Sequence, residues 1–303
     1  MRKKLTRWGG AGFAALTAVC AAVIIAMVVV ILAAIFYSGK DAVSIGFLTK
    51  APEAGMTAGG IFPAIFGTMA MVILMTLMVV PLGVATAVYL QEYASHDSFY
   101  VKAVQLAVQN LAGVPSIVFG LFGLGFFIQF CGGGLDRVLY GGELHFAQPA
   151  ILWASLTMAL LTLPTVIVTT EEALRAVPQS YREAAYAVGA SKYQVIRRVV
   201  LPNAIPGILT GAILAVSRGS GEVAPVLFTG AAYYLPYLPK RLTDQFMELG
   251  YHIYIMATQS PDVEATKTIL YGTVLVLLML TFTLNFLAVL VRGRLRAKLR
   301  LRR

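Results

Sequence analysis

The chain has 303 residues, of which 58% are hydrophobic and only 13% charged, with a formal net charge of +10. Ordinary soluble domains carry about twice that share of charged residues, so the composition excludes one and points to several membrane spans. The basic excess therefore has to be read together with topology before it is read as a binding surface for acidic partners.

The first long apolar stretch, Ala11–Tyr37, follows Arg2, Lys3, Lys4 and Arg7. Its run is too long for the apolar part of a cleaved leader, so a retained helix is expected. Further spans are predicted near Ile65–Leu90, Ala103–Phe130, Pro149–Thr170, Ile205–Thr229 and Thr268–Val291. Each has the roughly 20 residues that cross a hydrocarbon core of about 30 Å. With the N-terminus inside, 17 of the 24 Lys and Arg fall on the inner side and six on the outer. Both termini are thus expected in the cytoplasm. The basic tail from Arg292 to Arg303 directly follows a span and is expected to meet anionic membrane lipids, not nucleic acid.

Between the fourth and fifth spans lies a polar segment that cannot be a span. Ser180 followed by Glu183 reads as a capping box, Ala184 and Ala185 continue the helix, Gly189 closes it, and Pro202 precedes the next apolar run. A polar helix with its own stop, set inside a membrane protein, implies a docking partner outside the lipid. Arg175 is expected to join Glu171 and Glu172 in a solvated ion network.

The fifth span contains the only charges within an apolar run, Arg218 and Glu222. An Arg near the bilayer centre costs at least ~2.5 kcal/mol and must face the protein interior or a water-filled path. If the helix is continuous, Glu222 is its i,i+4 partner. The two charges either neutralise each other within the packing or serve a ligand. In the second reading Arg218 offers its planar, permanently charged donors to an oxyanion, and Glu222 holds the empty guanidinium. Gly219, Gly221 and Pro225 make the backbone here easy to break. The outer segment from Tyr233 to Ala265 includes Phe246–Met256, too short and polar for another span and expected at the outer membrane face.

Chemistry of other kinds finds little support. Cys20 and Cys131 fall at different depths, and His96, His145 and His252 are scattered through predicted loops, where surface positions are expected. No disulfide, metal site or cofactor is implied. There is no phosphate-cradling Gly-rich loop ending in Lys, no nucleophile with its base and no carboxylate pair in the apolar region. A non-catalytic membrane subunit is expected.

The spacing Glu183-Ala184-Ala185, Gly189, then Val199, Leu201 and Pro202 resembles the cytoplasmic coupling loop of ABC importer permeases, with Val199 where Ile is frequent. The run from Asn110 through Pro115, Ser116 and Gly120 resembles permeases of bacterial phosphate-specific ABC importers. So does Leu163-Pro164 with Thr169 to Pro178. Gly207 to Gly211, Arg218, Gly221, Glu222 and Ala224 to Thr229 are similar to the PstA-type subunit in particular. Val168 departs, since relatives often have Arg before Thr-Thr-Glu, and no role for that arginine is carried over.

This resemblance implies an all-α, polytopic type I ABC importer permease with six transmembrane helices. It would form one domain over 1–303, with a family-like core about 63–291 and a coupling loop at 171–203. It further implies inorganic phosphate import through the bacterial inner membrane, with Arg218 and Glu222 at the substrate and Glu183, Ala184, Ala185 and Gly189 coupling to ATPases. The partners implied are a second permease, two ATP-binding cassette subunits and an extracytoplasmic phosphate-binding protein. A permease for sulfate or molybdate, or a secondary transporter, remains as an alternative. The second would show inverted repeats, and no second copy of the loop is found.

Overall fold

The computed structural model describes residues 2–95, 97–260 and 262–300, and its described residues contain six helices long and apolar enough to cross a membrane. They run Phe13–Gly39, Phe62–Tyr93, Ser116–Leu139, Ile151–Arg175, Lys192–Gly219 and Thr266–Arg294. All six predicted spans are present.

Helix α1 (Arg2–Gly39) is apolar on every side and packs along α13 (Val263–Arg300), leaving most of its side chains exposed. A helix with no polar face needs lipid or another apolar surface around it. After it, α2 (Ile45–Thr49) is capped by Ser44, whose Oγ accepts from Phe47 N at 3.2 Å. A two-residue hairpin pairs Pro52 with Gly59 and Glu53 with Ala58.

The centre is built from α3 (Phe62–Val88) and α7 (Ile151–Arg175), the most extensive helix pairing in the fold. Met71, Met75 and Val79 of α3 interlock with Ala154, Met158 and Val166 of α7, all fully buried. Thr157 and Thr162 inside α7 satisfy their hydroxyls by donating back to Trp153 O and Met158 O, whereas the buried Thr170 hydroxyl has no hydrogen-bond partner. The C-terminal end of α3 unwinds into a π-helical turn, Tyr89–Tyr93.

The third span differs from its predicted bounds. Helix α4 (Phe99–Ala112) is separate, and the membrane helix begins only at Ser116 as α5 (Ser116–Phe122). Pro115 lacks a backbone donor and bars Val114 from helical geometry, so the run from Ala103 to Phe130 cannot be one helix. Beyond α5 the helix continues in π geometry over Gly123–Gly132 and ends as α6 (Gly133–Leu139). The turn beyond is pinned by the buried Asp136 carboxylate, which accepts backbone N–H groups from His145, Phe146 and Ala147 at 2.8–3.1 Å.

The polar segment forms α8 (Gln179–Ala187) and α9 (Lys192–Val195). The capping box is at Ser191 and Gln194, not at Ser180 and Glu183 as the spacing suggests. Pro178 starts α8 one residue before Ser180, which places Ser180 inside the helix, where its backbone cannot take the cap conformation. From α9 the chain passes through a π-helical turn, Ile196–Val200, into α10 (Leu201–Gly219) without a break. The fifth span thus begins at Lys192, 13 residues before the predicted start at Ile205. Pro202 is tolerated in the first turn of α10, and the Asn203 side chain donates to Val199 O at 2.6 Å.

Helix α10 then stops at Gly219 and a short α11 (Ala224–Thr229) follows. The predicted continuous span Ile205–Thr229 is therefore two helices with residues 220–223 between them. Finally, α12 (Leu249–Thr258) is a buried wedge against α3 and α13, not a surface segment. Phe246, Met247, Leu249, Ile255 and Met256 are all buried, because ten residues supply enough apolar area to enter a core although too few to span a bilayer.

Candidate functional site

Two places combine charge with broken or polar helix. The first is the α10–α11 break. Arg218 occupies the last turn of α10, where a cation complements the helix dipole, and its Nε lies 3.7 Å from Glu222 Oε1 beyond the helix end. The pairing expected from the sequence is present, but across a break and not along one helical face. Arg218 is 39% exposed and Glu222 25%, so the guanidinium has donors left over. Its neighbours on α10 turn the other way into the protein. Ser217 Oγ accepts from Asn285 Nδ2 at 3.2 Å, and buried Ser220 lies 3.5 Å from Thr281 Oγ1. This polar seam fixes α10 against α13 while Arg218 stays on the outside of the subunit.

The break is walled by the start of α12, where Val223 meets Gly250. Glu248 caps that helix, accepting from Gly250 N at 2.8 Å and Tyr251 N at 2.6 Å. It is 1% exposed, and burial pushes its carboxyl up to about 7 in spite of those two bonds. One turn on, His252 is also buried, and neither ring nitrogen has a hydrogen-bond partner. Burial pushes its imidazole down to about 4, which keeps it neutral at physiological pH. The surface position expected for His252 is thus overturned: α12 enters the core and carries the ring with it. His145 is half-buried beside Tyr140, and His96 lies outside the described residues.

The second place is the polar loop between α7 and α10. Gly189 has φ of +83°, Gly189 N donates to Tyr186 O and Ala190 N to Ala185 O, the two bonds of a Schellman stop. The closing role read from the spacing is therefore realised. Glu183 and Ala184 are exposed, Ala185 is half-buried, and Tyr186 and Val188 add exposed apolar surface beside them. The opposite side of α8 is held by Arg182, which no local sequence signal marks out. Its guanidinium pairs with Glu92 Oε1 at 2.8 Å and donates to Val177 O at 2.6 Å and Leu174 O at 2.9 Å. Arg175 lies 4.0 Å from Glu171 and hydrogen-bonds Gln91 at 2.8 Å, while no close pairing with Glu172 is formed. Between α4 and α7 is a cavity of about 300 Å³ lined by Gln105, Gln109, Glu171, Glu172 and Arg175, with Val168 as an apolar part of its wall.

These features define a polytopic, all-α membrane protein with a charged break at the end of one span and a short polar helix between two others. The chain belongs to the binding-protein-dependent transport system inner membrane component family, whose family model matches residues 79–301. It is 33% identical over 252 residues to the phosphate transport system permease protein PstA of Yersinia pestis, covering 82% of this chain and 78% of that protein. The match to PstA of Mycobacterium leprae is closer, 44%, but spans 56% of this chain and 51% of that relative. A probable ABC transporter permease of Bacillus subtilis, YqgI, is 33% identical over 81% of this chain and 83% of its own length. Among solved structures, a bacterial alginate ABC transporter in complex with its alginate-bound periplasmic protein shares the fold. The match has a TM-score of 0.65 at 17% identity over 90% of this chain and 92% of the other.

Proposed function

We propose that the chain is the membrane-spanning permease subunit of an ATP-driven importer that moves inorganic phosphate into the cytoplasm. Its single permease domain includes the coupling loop 171–203. It works with a second permease, two ATP-binding cassette subunits and an external phosphate-binding protein, in the inner membrane of a bacterium with both termini cytoplasmic. The names of its relatives support phosphate, and one observation carries the site: Arg218 stands partly exposed in the last turn of α10, at the break that ends the fifth span. A permanently charged guanidinium at this break faces water and not lipid, in a path shared with the second permease.

The chemistry follows from geometry. Guanidinium presents two parallel N–H groups to a tetrahedral oxyanion, and a loose partner at 3.7 Å yields to it at little cost. Glu222 takes the guanidinium back when the anion leaves. The break at 220–223 lets α11 and the start of α12 shift against α10 without unwinding a continuous helix. On the inner side, the exposed face of α8 with Glu183, Ala184 and Ala185, closed at Gly189, docks an ATPase subunit. ATP is hydrolysed on those partner chains.

The test is reconstitution of the whole transporter with its binding protein in vesicles. Phosphate, sulfate and molybdate are compared for uptake and for stimulated ATP hydrolysis. Stimulation and uptake by phosphate alone are expected. Stimulation by sulfate or molybdate without phosphate would overturn the substrate, and uptake that persists without ATP would overturn the class.

A further inference from the structure

We infer that Arg182, clamped by Glu92, is the positioning residue that joins the docking helix α8 to the inner ends of α3 and α7, so that motion of α8 reaches the central helices. This rests on α8 being the helix that docks the ATPase.

The side chains of Arg182 and Glu92 are 12% and 11% exposed, and they meet at 2.8 Å although 90 residues apart in the chain. The other two donations go to Leu174 O in the last turn of α7 and to Val177 O two residues beyond its end; Leu174 O also accepts from Val177 N at 3.3 Å. One guanidinium thereby joins three acceptors on two stretches of the chain, and its rigid fork sets their spacing. Glu92 lies in the π-helical turn that ends α3. On one side of this clamp Leu90, Leu174, Val177, Val195 and Val200 form a buried apolar cluster, and on the other the pair lines a polar cavity of about 430 Å³ with Gln91, Arg175 and Gln179. A buried pair of this kind is geometrically demanding, because either partner alone would be an uncompensated charge.

The clamp is also the head of a continuous packed route. From the end of α7, Ala173 and Thr169 lie directly against Gly207 and Gly211 of α10. Met75 of α3 and Met158 of α7 both press on Gly219, next to Arg218. The chain from α8 to α10 passes through Gly189 and a π-helical turn that continues into α10, and α8 also packs on that turn. In parallel with that path, force applied to α8 enters α3 and α7 through Arg182, and reaches α10 along its packed side. Spatial continuity alone does not demonstrate coupling, so the test must separate coupling from mere stability.

The variant is Arg182→Gln with Glu92→Gln in the complete transporter, which removes both charges and so leaves no orphan. Copurification of the ATPase chains, basal ATP hydrolysis, stimulation by phosphate-loaded binding protein, and phosphate uptake are measured together. The expected result is intact assembly and basal hydrolysis with stimulation and uptake both reduced about tenfold, within the range by which residues along such routes change coupling. A merely structural role would lower assembly and basal hydrolysis together with uptake. Uptake within about twofold of the unmodified transporter overturns the inference.

Should the double variant fail to assemble, Glu92→Gln alone keeps the two bonds from Arg182 to α7. It is expected to lose stimulation with assembly intact, and unchanged stimulation refutes the arm to α3. Tyr186→Glu on the exposed face of α8 tests the underlying reading. If the ATPase chains stay bound, the docking assignment falls. If they are released while the clamp variants transport normally, the clamp alone falls.

Discussion

Replacing Arg218 separates an anion contact from a charge balance, because the structure assigns the two roles different magnitudes. At 3.7 Å the pair with Glu222 would gain about 1 kcal/mol in water and about 4 at an intermediate dielectric. Arg218 is 39% exposed, so the watery limit applies and the pair adds no more than about 1 kcal/mol to stability. Two charge-assisted hydrogen bonds to an anion are worth about 1.5–3 kcal/mol each. Their loss corresponds to a fall of about 100-fold or more in transport. Arg218→Gln should therefore insert and assemble almost normally and abolish phosphate uptake, and Arg218→Lys should restore it only in part, since an ammonium lacks the fork. The decisive variant is Arg218→Gln with Glu222→Gln, assayed for uptake in vesicles alongside copurification of the partners. If the arginine only balances Glu222, removing both charges restores transport. Substantial phosphate uptake by that double variant would refute the assignment of Arg218 to the substrate.

Three further outcomes are expected. A Cβ at Gly189 meets no neighbouring atom, so the cost of Gly189→Val is backbone strain at φ +83°, about 1–2 kcal/mol. ATPase copurification should weaken in Gly189→Val and survive in Gly189→Asn, which accepts left-handed geometry, and equal behaviour of the two would remove strain as the cause. Gly207 and Gly211 let α10 approach Ala173 and Thr169, as in other small-xxx-small membrane contacts. Gly211→Ala should cost about 1–3 kcal/mol in thermal unfolding, and Thr169→Ala should recover part of it by removing the hydroxyl that the new methyl meets. Glu248 and His252 oppose one another with pH. Raised from 4.5 to about 7, Glu248 gives stability that is present below 4.5 and lost as pH rises through 7. Lowered from 6.5 to about 4, His252 gives stability that is present above 6.5 and lost as pH falls through 4. Unfolding of the unmodified protein should thus change little between about pH 4.5 and 6.5. Glu248→Gln should make stability rise with pH across that window and His252→Gln should make it fall, by up to about 3 kcal/mol each. A flat profile in both variants would contradict the burial argument.

The six spans, the polar helix between the fourth and fifth, and the Gly189 stop were legible because each is a local property of the chain. Apolar length, a polar interruption and a left-handed stop depend on neighbours a few residues away. The Arg218–Glu222 pair was legible for the same reason, being four residues apart, although the break between them was not assigned to residues 220–223. Local cues also misled in places. The Ser180 and Glu183 spacing matched a capping box, yet Pro178 started the helix earlier and the working cap formed at Ser191 and Gln194. The stretch Phe246–Met256 looked interfacial because its length falls short of a bilayer, a criterion that says nothing about entering a protein core.

What only the tertiary structure decided are the contacts between distant segments. Glu92 and Arg182 are one acid and one base among the charges of two separate loops, and nothing in their neighbours marks them as partners. His252 reads as a loop residue until α12 is seen wedged against α3 and α13. A hydrophobic period or a helix stop is encoded within one or two turns of chain, whereas a buried ion pair depends on where two helix ends arrive after packing. That arrival is set by the summed fit of α3, α7 and α10 against one another, which no single stretch of the chain contains.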